Sequence, residues 1–246
     1  MRFISIKTRK FLPPRDDIYD LIDRSIKNLR DGDILIVASK ILGIHQGRCV
    51  PIKQGSNAER DLLARAEADY YIPRGRVPNQ MILPTIKYHT LIASAGIDKS
   101  NGAGYYVFWP KRPNRLLRDI WRHLTKKHKL KRLGLIAADS HFLPLRVGSV
   151  GVAMAFYGFE PVIDYRGQPD IFGRKLELTR VNIPDALAAP ATLLMGEGSE
   201  QTPLMIARGF KGITFSSKDH YQNFLIKREE DIYYPLLKPF RKTRKQ

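Results

Sequence analysis

The chain has 246 residues, 43% of them apolar, which is enough to bury a substantial core and argues against wholesale disorder. Its 42 lysines and arginines outnumber 24 acids for a formal charge of +18, a balance suited to anionic partners: nucleotides, a polyanionic cofactor, nucleic acid or an acidic membrane. Cys49 is the sole cysteine, so no intrachain disulfide can form. No apolar run reaches the roughly 18 residues of a membrane span, and MRFISIK lacks the apolar stretch of a secretory signal, so a cytoplasmic setting with no membrane partner is expected.

In chain order, Phe3, Ile4 and Ile6 predict a short first strand, and the basic, proline-containing stretch from Lys7 to Pro14 a loop. Ile18, Leu21, Ile22, Ile26 and Leu29 recur at helical spacing, behind Asp16 and Asp17 at the positive end of that helix. Asp31-Gly32-Asp33 turns the chain into a strand over Ile34 to Ala38, ended by Ser39 and Lys40. Gly43 and Gly47 predict a tight hairpin-like segment leading to Cys49 and Val50. Ser56-Asn57-Ala58-Glu59 has capping-box spacing, and Leu62, Leu63 and Ala66 are expected to face the body from the helix behind it.

Tyr70 to Pro84 reads as a loop with short extended pieces, and Tyr88 to Ala93 as a strand delivering Ala95 to Gly102 to a loop. Leu116, Leu117, Ile120, Trp121 and Leu124 predict an amphipathic helix begun near Pro113, with Trp121 on its apolar face. A buried strand is predicted over Leu133 to Ala137, projecting Asp139 and Ser140 from its C-terminal end. Close backbone packing is expected in Gly148 to Gly158, and a further strand over Lys175 to Val181. Ala186 to Met195 reads as a buried helix in which Pro190 either bends the axis or lies in the first turn. Met195-Gly196-Glu197-Gly198 ends it in a loop, and Pro203 to Ala207 is a late strand turned by Arg208-Gly209. The basic tail, 238–246, is expected to be exposed and frayed.

Three features suit an anion-and-metal site: Asp98 in a Gly/Ser/Asn loop, Asp139-Ser140 behind an apolar strand, and Glu197 between two glycines. Carboxylates at loop positions hold Mg2+ or Mn2+ while phosphate oxygens complete the shell, and glycines let backbone amides approach those oxygens. Each acid alone is as readily a turn or capping residue. There is no Walker motif, no dinucleotide fingerprint and no serine-centred nucleophile elbow. His123 and His128, five apart, do not share a helical face as a zinc pair would, and Cys49 is expected to be a small buried residue. Between Lys111 and Arg132 lie ten Lys/Arg residues and one acid, Asp119, a pattern that fits either a wet helix face or a nucleic-acid footprint.

An ordered set of motifs runs from residue 31 to 209: Asp31-Gly32-Asp33-Ile34-Leu35-Ile36-Val37-Ala38-Ser39-Lys40, then Ala95-Gly96-Ile97-Asp98-Lys99-Ser100-Asn101, Asp139-Ser140, Phe172-Gly173-Arg174-Lys175-Leu176, Pro184-Asp185-Ala186-Leu187-Ala188-Ala189, Leu194-Met195-Gly196-Glu197-Gly198 and Arg208-Gly209. This order resembles the coenzyme F420-0:L-glutamate (gamma-glutamyl) ligase family. The resemblance implies an α+β fold of mixed and antiparallel sheets with packed helices, one compact domain over 1–246 or two intimately packed lobes, and an intertwined homodimer. It implies GTP (ATP as the alternative) and Mg2+ or Mn2+, and coupling of L-glutamate to an anionic carboxylate such as F420-0. Asp98, Asp139, Ser140 and Glu197 become the metal residues. Arg9, Lys10, Phe11, Leu12, Ser39, Lys40, Asn101, Met195, Gly196, Glu197, Gly198, Ser199, Glu200, Gln201 and Thr202 surround the nucleotide, and Lys40 and Arg146 assist catalysis. The chain departs from the family pattern at Ile44, where a second lysine is usual, and over His141 to Val147, where one arginine of a pair remains. Two other readings stay open: a non-catalytic descendant that binds nucleic acid or another polyanion, and an inactive structural dimer partner.

Overall fold

A computed structural model describes residues 1–243. Its elements, in order, are β1 (Arg2–Ile6), α1 (Ile18–Ser25), β2 (Asp33–Ala38), α2 (Ser39–His45), β3 (Cys49–Pro51), α3 (Asn57–Glu67), β4 (Tyr70–Tyr71), β5 (Pro84–Lys87), β6 (Thr90–Ala93), β7 (Tyr105–Val107), α4 (Pro113–His128), β8 (Leu133–Phe142), β9 (Ser149–Tyr157), β10 (Val162–Asp164), β11 (Arg180–Asn182), α5 (Ile183–Met195), β12 (Leu204–Arg208), α6 (Tyr234–Leu237) and β13 (Arg241–Lys242). The principal sheet has the order β1-β12-β2-β8-β9, with β2 and β8 parallel and every other neighbouring pair antiparallel. A second, antiparallel sheet has the order β13-β4-β5-β6, and β3 pairs with β7. The fold is thus α+β with mixed and antiparallel sheets.

β2 and β8 lie inside the principal sheet, and their Ile34, Leu35, Ile36, Val37, Leu135 and Ile136 are fully buried, as continuous apolar runs require there. Leu117, Ile120 and Leu124 of α4 join this core, with Leu187, Ala188 and Ala191 of α5. A smaller core gathers Ala64, Ala68, Leu83, Ala95, Ile97, Tyr106 and Phe108 around α3 and the β3–β7 pair. Trp121 is only partly buried, packs on the main core and donates to the Leu133 carbonyl at 2.8 Å.

Short polar side chains set several helix boundaries, the first two of them at positions the sequence marked. The Asp17 carboxylate accepts from the Tyr19 amide, Ser56 Oγ accepts from the Glu59 amide, and Asn182 Oδ1 accepts from the Asp185 amide. The capping box is half formed: the Glu59 carboxylate takes the amides of Lys53, Gln54 and Gly55 rather than that of Ser56.

Elsewhere the structure departs from the sequence expectations. Residues 39–45 form a helix, not a hairpin-like turn, because Ile41, Leu42 and Ile44 are buried by a helical turn. Gly43 is there for proximity: a Cβ on it would stand 2.1 Å from the Phe108 carbonyl oxygen. Gly43→Ala is therefore expected to lower unfolding free energy by about 1–3 kcal/mol by forcing α2 off the β7 end. An unchanged urea midpoint would show that the contact yields freely.

α1 stops at Ser25, although Ile26 and Leu29 are buried. The chain then extends so that Asn28 and Arg30 reach the Asp33–Arg208 ion pair. On α3 the body-facing positions are Asp61 and Ala64, whereas Leu62 and Ala66 are exposed. β8 continues past Ala137 to Phe142, through a register irregularity at Ala137/Ala138, so Asp139 and Ser140 lie within the strand. Of Lys175–Val181 only Arg180 and Val181 are in a strand. Pro184 occupies the first turn of α5 and Pro190 its interior. The tail is not frayed up to Thr243: β13 pairs with β4, Phe240 is buried and Thr243 Oγ1 donates to the Ala68 carbonyl at 2.6 Å. The rest of the predicted tail, residues 244–246, lies outside the described residues. No described helix is long and apolar enough to cross a membrane.

Candidate active site

The C-terminal ends of β2 and β6, the middle of β8 and the loop after α5 meet around a cavity of about 800 Å3. The parallel pairing of β2 with β8 aligns Ala38 with Ala138, so Ser39 and Asp139 emerge side by side although 100 residues apart. Ser39 Oγ donates to Asp139 Oδ2 at 2.7 Å, and Trp109 Nε1 donates to the same oxygen. The Ser140 amide donates to Asp139 Oδ1 at 2.8 Å. Burial raises the Asp139 pKa, against the effect of these three donors.

Lys40, one residue on, reaches across to Asp98 Oδ2 at 2.7 Å, the Ser100 carbonyl at 2.7 Å and Ser100 Oγ at 2.9 Å. The Asp98 carboxylate also receives the Ser100 amide at 3.0 Å and the Ser100 hydroxyl. Burial pushes the Asp98 pKa up, but the Lys40 charge and these donors outweigh it, and the carboxyl stays below its ordinary range. The AGID stretch needs its glycine for packing: a Cβ on Gly96, whose φ is +73°, would stand 2.2 Å from Trp109 Nε1.

The loop after α5 closes the other wall. Gly196, with φ +77°, caps the helix, and Glu200 Oε2 accepts from the Gly198 amide at 2.8 Å. Thr202 Oγ1 donates to the Met195 carbonyl at 2.5 Å. Asn101 Nδ2 donates to the Gly198 carbonyl at 2.9 Å, tying this loop to the Asp98 loop. The Thr8 amide donates to the Gln201 carbonyl at 2.9 Å and brings up residues 9–12.

Every residue predicted for nucleotide or metal lines this one cavity: Arg9 to Leu12, Ser39, Lys40, Asp98, Asn101, Asp139, Ser140 and Met195 to Thr202. Arg146 does not; it is exposed in the β8–β9 turn, its Nη1 donating to the Leu145 carbonyl at 3.0 Å. Ile44 is buried and lines the cavity, whereas the His45 ring turns away to the Ile18 amide and the edge of Tyr19. Sequence reasoning missed Ser100 as the partner of Lys40 and Asp98, and Trp109 and Arg60 as parts of this wall. The S in AGIDxSN was a usable signal for the first; no local pattern marks the other two.

The oxygen donors Asp98, Asp139, Ser140 and Glu197 have the hard character that Mg2+ or Mn2+ requires. Among the described residues, no group of three His, Cys, Asp or Glu side chains is gathered as a metal site. Two of the three acids are already engaged by Lys40, Ser39 and Trp109, while Glu197 is exposed in its loop. Cys49 is half-buried rather than fully enclosed, and His123 bonds Asp23 at 2.9 Å. The basic helix α4 contributes nothing to the cavity. Part of its charge is paired, as Lys127 with Asp23 and Arg122 with Asp119, and Arg112, Arg115, Lys126 and Lys129 are exposed.

Arg9 clips the 9–12 segment to α1, through both oxygens of Asp16 at 2.6 and 2.8 Å and through Asp20 at 3.1 Å. The Arg9 hydrogen bonds, opposed by burial and aided by the Leu12 and Asp17 amides, hold Asp16 at a pKa of about 2. A depressed folded-state value gives stability that is complete above the unfolded pKa, near 4, and lost as pH falls towards 2. Because Arg9 is 38% exposed, solvent screening reduces the contribution to about 1 kcal/mol. Between pH 5 and 2, Asp16→Asn is expected to lose about 1 kcal/mol less stability than the native chain. Parallel acid-denaturation curves would remove the clip.

Comparison with known proteins follows the same outline. The family model described as F420-0:Gamma-glutamyl ligase matches residues 6–209. The Coenzyme F420:L-glutamate ligase of Methanothermobacter thermautotrophicus is 31% identical over 234 residues, covering 89% of this chain and 92% of that protein. The proteins of the same name from Methanopyrus kandleri and Methanosarcina mazei are 30% and 31% identical over 223 residues, covering 86% and 85% of this chain and 88% and 87% of theirs.

Proposed function

This chain belongs to the F420-0:gamma-glutamyl ligase family, and from that premise we propose that it joins L-glutamate to the terminal carboxylate of F420-0, or of a closely related anionic acid, at the expense of GTP. The observation that carries this reading is the convergence of the motif residues, Lys40, Asp98, Asp139 and the 195–202 loop, on one cavity wall.

A carboxylate does not acylate an amine because its oxide leaves badly. Transfer of the terminal phosphoryl group to the acceptor's carboxylate oxygen, with release of GDP, gives a mixed anhydride. The glutamate amine then attacks the acyl carbon, phosphate leaves and the amine gives up a proton. Lys40, braced by Asp98 and Ser100, presents a positive charge of fixed direction to the phosphate chain. Ser39, Trp109 and Ser140 orient Asp139, and Asn101 holds the 195–202 loop over the cavity. Asp98, Asp139, Ser140 and Glu197 would hold a divalent cation, whose chemistry is to neutralise phosphate charge during transfer.

Incubation with GTP, F420-0, L-glutamate and Mg2+ or Mn2+ is the test, read as phosphate release and the mass of the amide product. Release that requires both organic substrates supports the reading. Product formation without nucleotide, or none under any of these conditions, removes it.

The homodimer belongs to the same proposal. Leu145 and Val147 in the β8–β9 turn, and Ile171, Phe172 and Leu178 between β10 and β11, are almost fully exposed in the single chain, and a second copy would cover them. Light scattering on the eluting protein should give twice the chain mass; a monomer at micromolar concentration would contradict it.

A further inference from the structure

Four basic side chains line the cavity among the described residues: Arg9, Lys10, Lys40 and Arg60. Arg9 is taken by Asp16 and Asp20, and Lys40 by Asp98. Lys10 lies exposed in the nucleotide-side segment. Arg60 differs from all of these. It enters from the first turn of α3, on the side of the smaller core, and its neighbours in sequence are acids that are spoken for. The Glu59 carboxylate takes three backbone amides, and Asp61 forms a two-pronged pair with Arg74 at 2.7 and 2.6 Å. Arg60 itself makes no ion pair among the described residues. Nη2 donates to Asn57 Oδ1 at 3.3 Å, and Nε is shut off from solvent with no partner. The guanidinium charge is thus left without a counter-charge among the described residues, and an anionic oxygen that meets its fork from the cavity would supply one.

We propose that Arg60 anchors the acid acceptor, pairing its planar guanidinium with a carboxylate or phosphodiester oxygen of that substrate. The assignment rests on the ligase reading above. The end of the cavity favours acceptor over nucleotide. Residues 9–12 and 195–202 stand with the principal sheet, whereas Arg60 shares the cavity wall with Ile82, Ile97 and Phe108, apolar surface suited to a flat ring rather than to a triphosphate. A guanidinium fork beside such surface matches a substrate that carries an aromatic ring and an acid in one molecule.

The experiment is steady-state kinetics of Arg60→Gln and Arg60→Lys with F420-0, L-glutamate, GTP and Mn2+, with thermal melts to confirm folding. For Arg60→Gln the KM for F420-0 should rise about 10- to 100-fold, the loss of a charged hydrogen bond, with kcat and the KM for GTP within about twofold. Arg60→Lys, which keeps the charge and loses the fork, should fall between; it also serves if the glutamine variant fails to fold. An unchanged KM for F420-0 in both variants, or a rise confined to GTP, overturns the anchor role and leaves the ligase reading standing. A native chain that releases no phosphate in response to F420-0 removes the ligase reading, and the anchor with it.

Discussion

Asp139→Asn is expected to abolish the divalent-cation dependence of GTP binding and to lower acceptor-dependent phosphate release by roughly 10^2- to 10^3-fold or more. The side chain is held at three points, by Ser39 Oγ and Trp109 Nε1 on Oδ2 and by the Ser140 amide on Oδ1. An asparagine of the same shape must turn its NH2 towards one of these donors, whichever way it is placed. The carboxylamide therefore loses the anionic charge and at least one hydrogen bond, a further cost of about 1–3 kcal/mol. Alanine would leave all three donors without a partner in a closed space, so it is the less informative variant. Calorimetric titration with GTP, in the presence and absence of Mn2+, separates the effects. The native chain should bind GTP more tightly with Mn2+, and Asp139→Asn should show the same affinity in both. If Mn2+ helps the variant as much as the native chain, Asp139 is not part of the cation site.

Arg208→Ala is expected to lower unfolding free energy by about 3–5 kcal/mol while leaving nucleotide affinity unchanged. Asp33 is 1% exposed at the start of β2, and Arg208 at the end of β12 meets both of its oxygens at 2.7 Å. The Arg30 amide adds a bond at 2.7 Å, and Arg208 also donates to the Asn28 carbonyl at 2.8 Å. Removing the guanidinium strands a buried carboxylate, which is worse than removing both charges. Asp33→Asn in the Arg208→Ala background should therefore recover part of the loss. The pair sits at the far end of β2 from Ser39, roughly 20 Å away at the usual strand rise, so GTP titration should not register it. A loss below about 1 kcal/mol in urea denaturation, or no recovery in the double variant, would mean that water reaches Asp33 when Arg208 is gone.

The residues most legible in sequence were those whose meaning is local. Asp17 and Ser56 cap helices because a short polar side chain reaches amides two or three residues ahead, whatever surrounds it. The apolar spacing of Leu116 to Leu124 needs one buried face, and α4 has it. Segment 39–45 was misread because Gly43 looked like a turn residue; its real role is to let the Phe108 carbonyl approach, a demand made by a strand more than 60 residues away. On α3, Leu63 packs on the smaller core as expected, but Leu62 and Ala66 were misjudged for a related reason. Arg74 draws Asp61 inward, and no periodicity of the helix itself foretells that.

From sequence alone, capping, burial period and motif order determined α1, α3, α4 and α5, the strands β1, β2, β8 and β12, and the identity of most polar residues on the cavity wall. Only the tertiary structure decided how those residues engage one another: Ser39 on Asp139, Lys40 on Asp98, Trp109 beneath the carboxylate, and Arg60 entering without a partner. The physical reason is range. A cap or an apolar stripe is settled by side chains a few residues apart, whereas the cavity is closed by contacts such as Thr8 to Gln201 and Ser39 to Asp139, whose geometry exists only once strands from distant parts of the chain have taken their places in one sheet.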